Sequence, residues 1–334
     1  MYKNFSNLTK TGLMGVASVS LLALAVSDAN ADWKPTKKLE IVTHVKTSSS
    51  TYRFGKAVAT ALEKLLPTGA KVISIRGARG DRARRHLRVK NANNAHMMQV
   101  ITPSQVNNPI LAKQETRPWM FTPIAMMVVT PNLMTVNVNS PYKTMKDIMT
   151  KACANPGKVV QGGGDFGNVA SLNAILLQRK FGCKITYTPF ESQGITELLG
   201  GHVDYVMENP GQLLTFVRAG KMRIVAASEI LGGFPKVPTY EKAGYAFPVL
   251  KQYRGLWMGK NVNPEAVKFW TSMIDKIQAE PSYRKYIESN SLSELQLEGD
   301  DVAKMLKQDH ENYLKLGTEL NLIGKKKKKK KKKS

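Results

Sequence analysis

Gln161-Gly162-Gly163-Gly164-Asp165-Phe166-Gly167-Asn168 is the stretch on which the reading of this chain turns. It follows the apolar pair Val159-Val160 and precedes Val169 to Phe181, where Val169, Leu172, Ile175 and Leu176 recur at helical spacing. Glycine reaches positive φ and lets a ligand approach the backbone, while a helix start offers unpaired N–H groups at the positive end of its dipole. The natural guest of such a turn is an anion. Gly162, Gly164 and Gly167 also satisfy G-x-G-x-x-G, and Glu191 lies near the position of a ribose-binding acid, so a nicotinamide-dinucleotide site competes with an ordinary tight turn in an α/β sheet.

Around this turn the chain alternates strands and helices. Upstream, Leu39 to Thr43 reads as a strand, Thr47-Ser48-Ser49-Ser50-Thr51 as a polar turn, and Phe54, Ala57, Val58, Ala61, Leu62 and Leu65 as the buried stripe of a helix closed by Pro67 and Gly69. Strands are expected at Lys71 to Ile75, Met97 to Ile101, Ile124 to Val129 and Leu133 to Val138, with a basic helix from Asp81 to Lys90. Downstream come strands at Lys184 to Thr188, Val203 to Met207 and Ile224 to Ala227, separated by short helices, and then two longer helices opening at Asn263-Pro264 and near Asp300. The alternation predicts parallel sheets with right-handed crossovers, an α/β fold. Cys153 and Cys183 are the only cysteines. Each stands just before a strand, and parallel neighbours bring such positions together, which predicts a disulfide.

The two ends differ from the body. Residues 1–31 carry Lys3 and Lys10, an apolar run from Leu13 to Val26, and Ala29-Asn30-Ala31, the order of a cleaved secretory leader. Lys325 to Lys333 repels itself, cannot bury apolar surface and is expected to be disordered. Of the formal charge of +25, this run holds +9 and the leader +1, which leaves +15 on residues 32–324. A body so basic attracts anions.

Catalytic patterns are missing. The sequence has no G-x-S-x-G elbow, no phosphate-binding P-loop and no H-E-x-x-H, and His44, His86, His96, His202 and His310 lack metal-ligand spacing. No catalytic residue, metal site or cofactor is therefore assigned. Arg76, Arg79, Arg82, Arg84, Arg85, Arg88 and Lys90 form a basic cluster, but without interleaved aromatics or a groove-reading motif it reads as a solvated helix face, with Arg76 and Arg79 near a cleft, and no nucleic acid is expected.

In order and spacing, several landmarks together resemble the exported solute receptors of tripartite tricarboxylate transporters. These are Trp33-Lys34-Pro35, the turn Gly164 to Asn168, the segment Phe190 to Gly194, Leu199-Gly200-Gly201-His202-Val203-Asp204, Arg218 to Arg223, and Val237 to Tyr245. The resemblance runs from about residue 33 to about residue 320. It implies a type II periplasmic-binding fold of two α/β lobes, with residues 32–137 and 250–324 in the first and 138–249 in the second. It also implies a monomeric periplasmic receptor that passes a small organic carboxylate to integral-membrane permease subunits.

The ligand is then expected between Thr47, Ser48, Ser49, Ser50 and Thr51 of one lobe and Gly163, Gly164, Asp165, Phe166, Gly167 and Asn168 of the other, with Glu208 after a second-lobe strand as a further contact. Two departures from the family pattern matter. Thr51 stands where relatives carry an aspartate, which removes the partner of a ligand ammonium and argues against amino acids. Asp165 should repel an anion unless it points away or meets a cation, and His44 and Lys46 are the candidate compensating charges.

Overall fold

The computed structural model describes residues 33–323, so the leader and the lysine run lie outside the described residues. The chain first builds β1 (Leu39–Thr43), α1 (Ser50–Leu65), β2 (Ala70–Ser74), α2 (Asp81–Arg85), β3 (Met97–Ile101), α3 (Pro103–Leu111) and β4 (Phe121–Thr130). Side chains alternate across these strands. Leu39, Ile41 and Val100 enter one core with Phe54, Val58 and Leu62 of α1, while Val42, Met97 and Ile101 enter a second core on the opposite face.

A second series follows: β5 (Leu133–Asn137), α4 (Met145–Ala154), β6 (Val160–Gly163), α5 (Val169–Phe181), β7 (Thr186–Pro189), α6 (Ile195–Leu199), β8 (Tyr205–Glu208), α7 (Pro210–Arg218) and β9 (Met222–Ala227). Its sheet has cores on both faces too, with Met134, Val136, Tyr205 and Met207 on one and Leu133 and Val206 on the other. The chain then returns through β10 (Gln252–Gly259), α8 (Pro264–Ala279), α9 (Pro281–Ser289), β11 (Ser293–Glu298) and α10 (Gly299–Glu319). Two sheets result, ordered β11-β4-β10-β3-β1-β2 and β7-β6-β8-β5-β9.

Both sheets are mixed, where the alternation of elements predicted parallel ones. β1 pairs in parallel with β2 and β3, and β6 with β7 and β8, but β10 lies antiparallel between β3 and β4, and β5 antiparallel between β8 and β9. The cause is the crossing itself, since a strand that enters or leaves a lobe directly, without a crossover helix, is free to run either way. The crossing also comes earlier than the expected boundary after residue 137. β4 ends in the first sheet at Thr130, and Leu133 already pairs with Glu208 and Ala227 of the second.

Cys153, in α4, and Cys183, just before β7, are joined by a disulfide with Cα atoms 4.4 Å apart. No helix among the described residues is long and apolar enough to cross a membrane.

Candidate functional site

The carboxyl ends of β1, β2 and β3 and those of β6, β7 and β8 open onto one cavity of about 480 Å³ between the two sheets. Four helices start on its wall. Ser49, Thr102, Asn168 and Asn209, the residues that cap α1, α3, α5 and α7, all line it. Ser49 Oγ accepts from the Thr51 N–H at 3.1 Å, and Asn168 Oδ1 from the Ser171 N–H at 2.8 Å. Pro103 and Pro210 occupy the first turns of the other two helices, where a missing N–H is harmless. Four positive helix ends aimed at one space make it a place for negative charge.

Of the residues expected to hold the ligand, Ser49, Ser50, Thr51, Asp165, Asn168 and Glu208 line this cavity. Thr47, Ser48, Gly163, Gly164, Phe166 and Gly167 do not. Ser48 turns its carbonyl to Arg53 Nη1 at 2.6 Å. Gly163 and Gly164 are packed from within: a Cβ on the first would run into the Tyr187 hydroxyl, and one on the second into Gln193 and Asn168. Tyr187 Oη donates to the Gly164 carbonyl at 2.7 Å. Their lack of side chains thus serves the protein's own packing. Gly167 takes φ +94°, and its carbonyl accepts from Asn107 Nδ2 at 3.1 Å. The Phe166 ring is half exposed against Tyr187.

The basic segment is a correction as well as a contributor. Arg84 is fully buried, not solvated. It donates to Gln105 Oε1 and Gln114 Oε1, both at 2.7 Å, and to the Arg79 carbonyl at 3.2 Å. Gln114 Nε2 holds the Ala78 carbonyl at 3.0 Å and Asn108 Nδ2 the Arg79 carbonyl at 3.1 Å. Ala78 and Arg79 take the left-handed φ values of +48° and +53°, a conformation costly for side-chain-bearing residues, and these bonds hold it in place. The turn so fixed sets Arg76 and Arg79 on the cavity wall.

His44 cannot act as a compensating charge. Burial, aided by the nearby Arg84 guanidinium, lowers its pKa to about 3, so it stands neutral with Nε2 3.0 Å from Ser104 Oγ. The buried cation of the site is Arg254, from β10, which donates to Ser50 Oγ at 2.9 Å and to Thr130 Oγ1. Sequence reasoning missed it, although a lone arginine within Tyr253-Arg254-Gly255-Leu256-Trp257-Met258 is an unusual charge in an apolar run. Across from it stands Glu208, whose carboxyl is raised to about 7, chiefly by burial, against the opposing pull of Asn209 and Arg254. No cluster of metal-ligating side chains occurs among the described residues.

The model of the tripartite tricarboxylate transporter family receptor matches residues 89–322, well over half of the sequence. The chain belongs to this family. The receptor is 26% identical over 293 residues to a UPF0065 protein of Cupriavidus necator, covering 83% of this chain and 86% of that one. To the protein BugT of Bordetella pertussis it is 22% identical over 269 residues, covering 78% and 82%. Among solved structures, MatC of Rhodopseudomonas palustris with bound malate aligns at a TM-score of 0.72 with 18% identity, covering 85% of this chain and 99% of that one. A second R. palustris protein, with adipate, aligns at 0.77 with 17% identity and coverage of 85% and 97%. The receptor therefore has the two-lobed type II periplasmic-binding fold, and its family is one of solute-binding receptors rather than enzymes.

Proposed function

We propose that this receptor is exported through its N-terminal leader into the periplasm, captures a small organic carboxylate between its lobes and delivers it to an integral-membrane permease. The observation that carries this reading is the meeting of four helix N-termini with the buried guanidinium of Arg254 on one cavity. A carboxylate there gains backbone N–H donors from the helix starts, hydroxyl donors from Ser50 and Thr51, and a cation that water does not screen. Malate and adipate, held by the two R. palustris relatives, are ligands of the corresponding kind. Delivery to a permease follows from the family's place in a three-part transporter.

Thermal melting with a panel of di- and tricarboxylates and aromatic acids tests the capture step. An acid present at 100 times its dissociation constant should add roughly 2.7 kcal/mol. A panel in which no acid raises the melting temperature, or denatured protein that releases a nicotinamide nucleotide into the mass spectrometer, would sink the proposal.

A further inference from the structure

Arginine recurs at every third position from residue 76 to residue 88, as Arg76, Arg79, Arg82, Arg85 and Arg88. The series starts inside the site and leaves it. Arg76 and Arg79 are on the cavity wall, whereas Arg82, Arg85 and Arg88 are not. Arg82 is the link, because its side chain lies across Gly77, itself part of the wall, so closely that a Cβ there would strike it. After it α2 carries the exposed Arg85, and a π-turn over His86–Lys90 carries Arg88 and the exposed Lys90.

The charge of this stretch is unspent. None of the five arginines is in an ion pair among the described residues, and the one acid nearby, Asp81, stands 3.9 Å from the buried Arg84 instead. Residues 76–90 thus hold seven cations and a single acid. The head of the series is also held at a cost, since Ala78 and Arg79 keep their left-handed φ through the bonds of Arg84, Asn108 and Gln114 to their carbonyls. Across the cleft the wall has the opposite sign. Asp165, Glu191 and Glu208 come from the second lobe, which sets no cation on the wall. Side-chain charge therefore draws an approaching anion to the first lobe alone. Three helical residues advance about 4.5 Å along the axis, inside the screening length of about 8 Å at physiological salt, so neighbouring guanidiniums of the series act on an anion together.

We infer that Arg82, Arg85 and Arg88 steer the anionic ligand to Arg76 and Arg79, setting how fast the first lobe captures it and not how tightly the closed receptor holds it. This rests on the carboxylate reading above and adds to it residues outside the site. Being off the wall, the three arginines act on the free ligand through the field at the mouth of the cleft.

The probe is whichever of malate, adipate and citrate raises the melting temperature most, labelled with carbon-13 at a carboxyl. Exchange spectroscopy of the labelled acid gives koff, calorimetry gives Kd, and the two together give kon. In the Arg82→Gln/Arg85→Gln receptor at low ionic strength, kon should fall about three- to tenfold with koff unchanged. Arg82→Lys/Arg85→Lys should behave as wild type, because steering needs the charge and not the guanidinium fork. In 1 M salt, where the screening length is about 3 Å, the Gln variant and wild type should converge. A kon that does not fall at low salt, a deficit that persists in 1 M salt, or an affinity loss that appears in koff overturns the inference and leaves the carboxylate reading standing. If none of the three acids binds and no acid of the thermal panel stabilises the protein, the carboxylate reading itself fails and the inference falls with it.

Discussion

Glu208 and His44 sit on opposite walls of the same cleft, and burial shifts them in opposite directions along the pH scale. The folded receptor holds a proton on Glu208 up to about pH 7, whereas an ordinary glutamate gives it up near 4.5, so this group's stabilising contribution is full below 4.5 and is lost as the pH rises toward 7. His44 resists protonation down to about pH 3 against an ordinary 6.5, so its contribution is full above 6.5 and is lost as the pH falls toward 3. Between pH 4.5 and 6.5 the two slopes oppose each other at about 1.4 kcal/mol per pH unit each. Replacing Glu208 by Gln should therefore tilt the stability profile, with the variant losing stability relative to wild type as the pH falls through this range. Denaturant unfolding at several pH values checks it, and parallel profiles for the two proteins would refute the assignment. At this scale the sequence was readable where a side chain acts on its own backbone. The turns Thr47 to Thr51 and Gly162 to Asn168 read as openings of helices, and the structure caps those helices with Ser49 and Asn168, whereas Arg254 matters through Ser50 and Thr130, which lie 204 and 124 positions away, and no local pattern encodes such a partner.

The opening turn shows what an element's sequence does and does not disclose. That β6 passes through glycines into α5 was legible from Gly162 to Asn168 and the stripe that follows; why the glycines are there was not, because the reason lies in Tyr187 on the neighbouring strand β7. Gly163→Ala should cost about 1–3 kcal/mol, since the new methyl must push the Tyr187 hydroxyl off the Gly164 carbonyl. Tyr187→Phe should recover part of that loss, giving a non-additive double mutant. A Gly163→Ala protein that melts like wild type would return the glycine to a ligand-facing role. The elements missed along the chain have a shared cause. α3 carries Pro103 and Pro109, β10 contains Arg254 and two glycines, and β11 is a half-exposed polar edge strand; each contradicts the propensity of the element it forms, and tertiary pairing overrides it.

On the scale of the whole molecule, two passages join the lobes, a short one between Thr130 and Leu133 and a longer one between Ala227 and Gln252. They are tied together where the Ser228 N–H donates to the Asn132 carbonyl at 2.9 Å and Ser228 Oγ accepts from the Asn132 N–H at 2.9 Å. Paired connections of this kind permit bending while they resist sliding. Away from them several side chains bond across the lobes, among them Asn107 to the Gly167 carbonyl, Arg179 to the Glu319 carbonyl and Arg218 to the Ser289 carbonyl, and Arg53 makes another such contact. From α1 it donates to the Ser48 carbonyl in its own lobe and to the Gly211 carbonyl at the start of α7 in the other. Arg53 is not on the cavity wall, so its removal should act on the closed arrangement and not on ligand choice. Arg53→Met should weaken every acid of the thermal panel that binds by a similar factor, up to about tenfold for one lost charge-assisted bond, and leave the rank order of those acids unchanged. Calorimetry with the same acids measures both quantities. A rank order that shifts would place Arg53 in recognition, and affinities that do not move would remove it from closure.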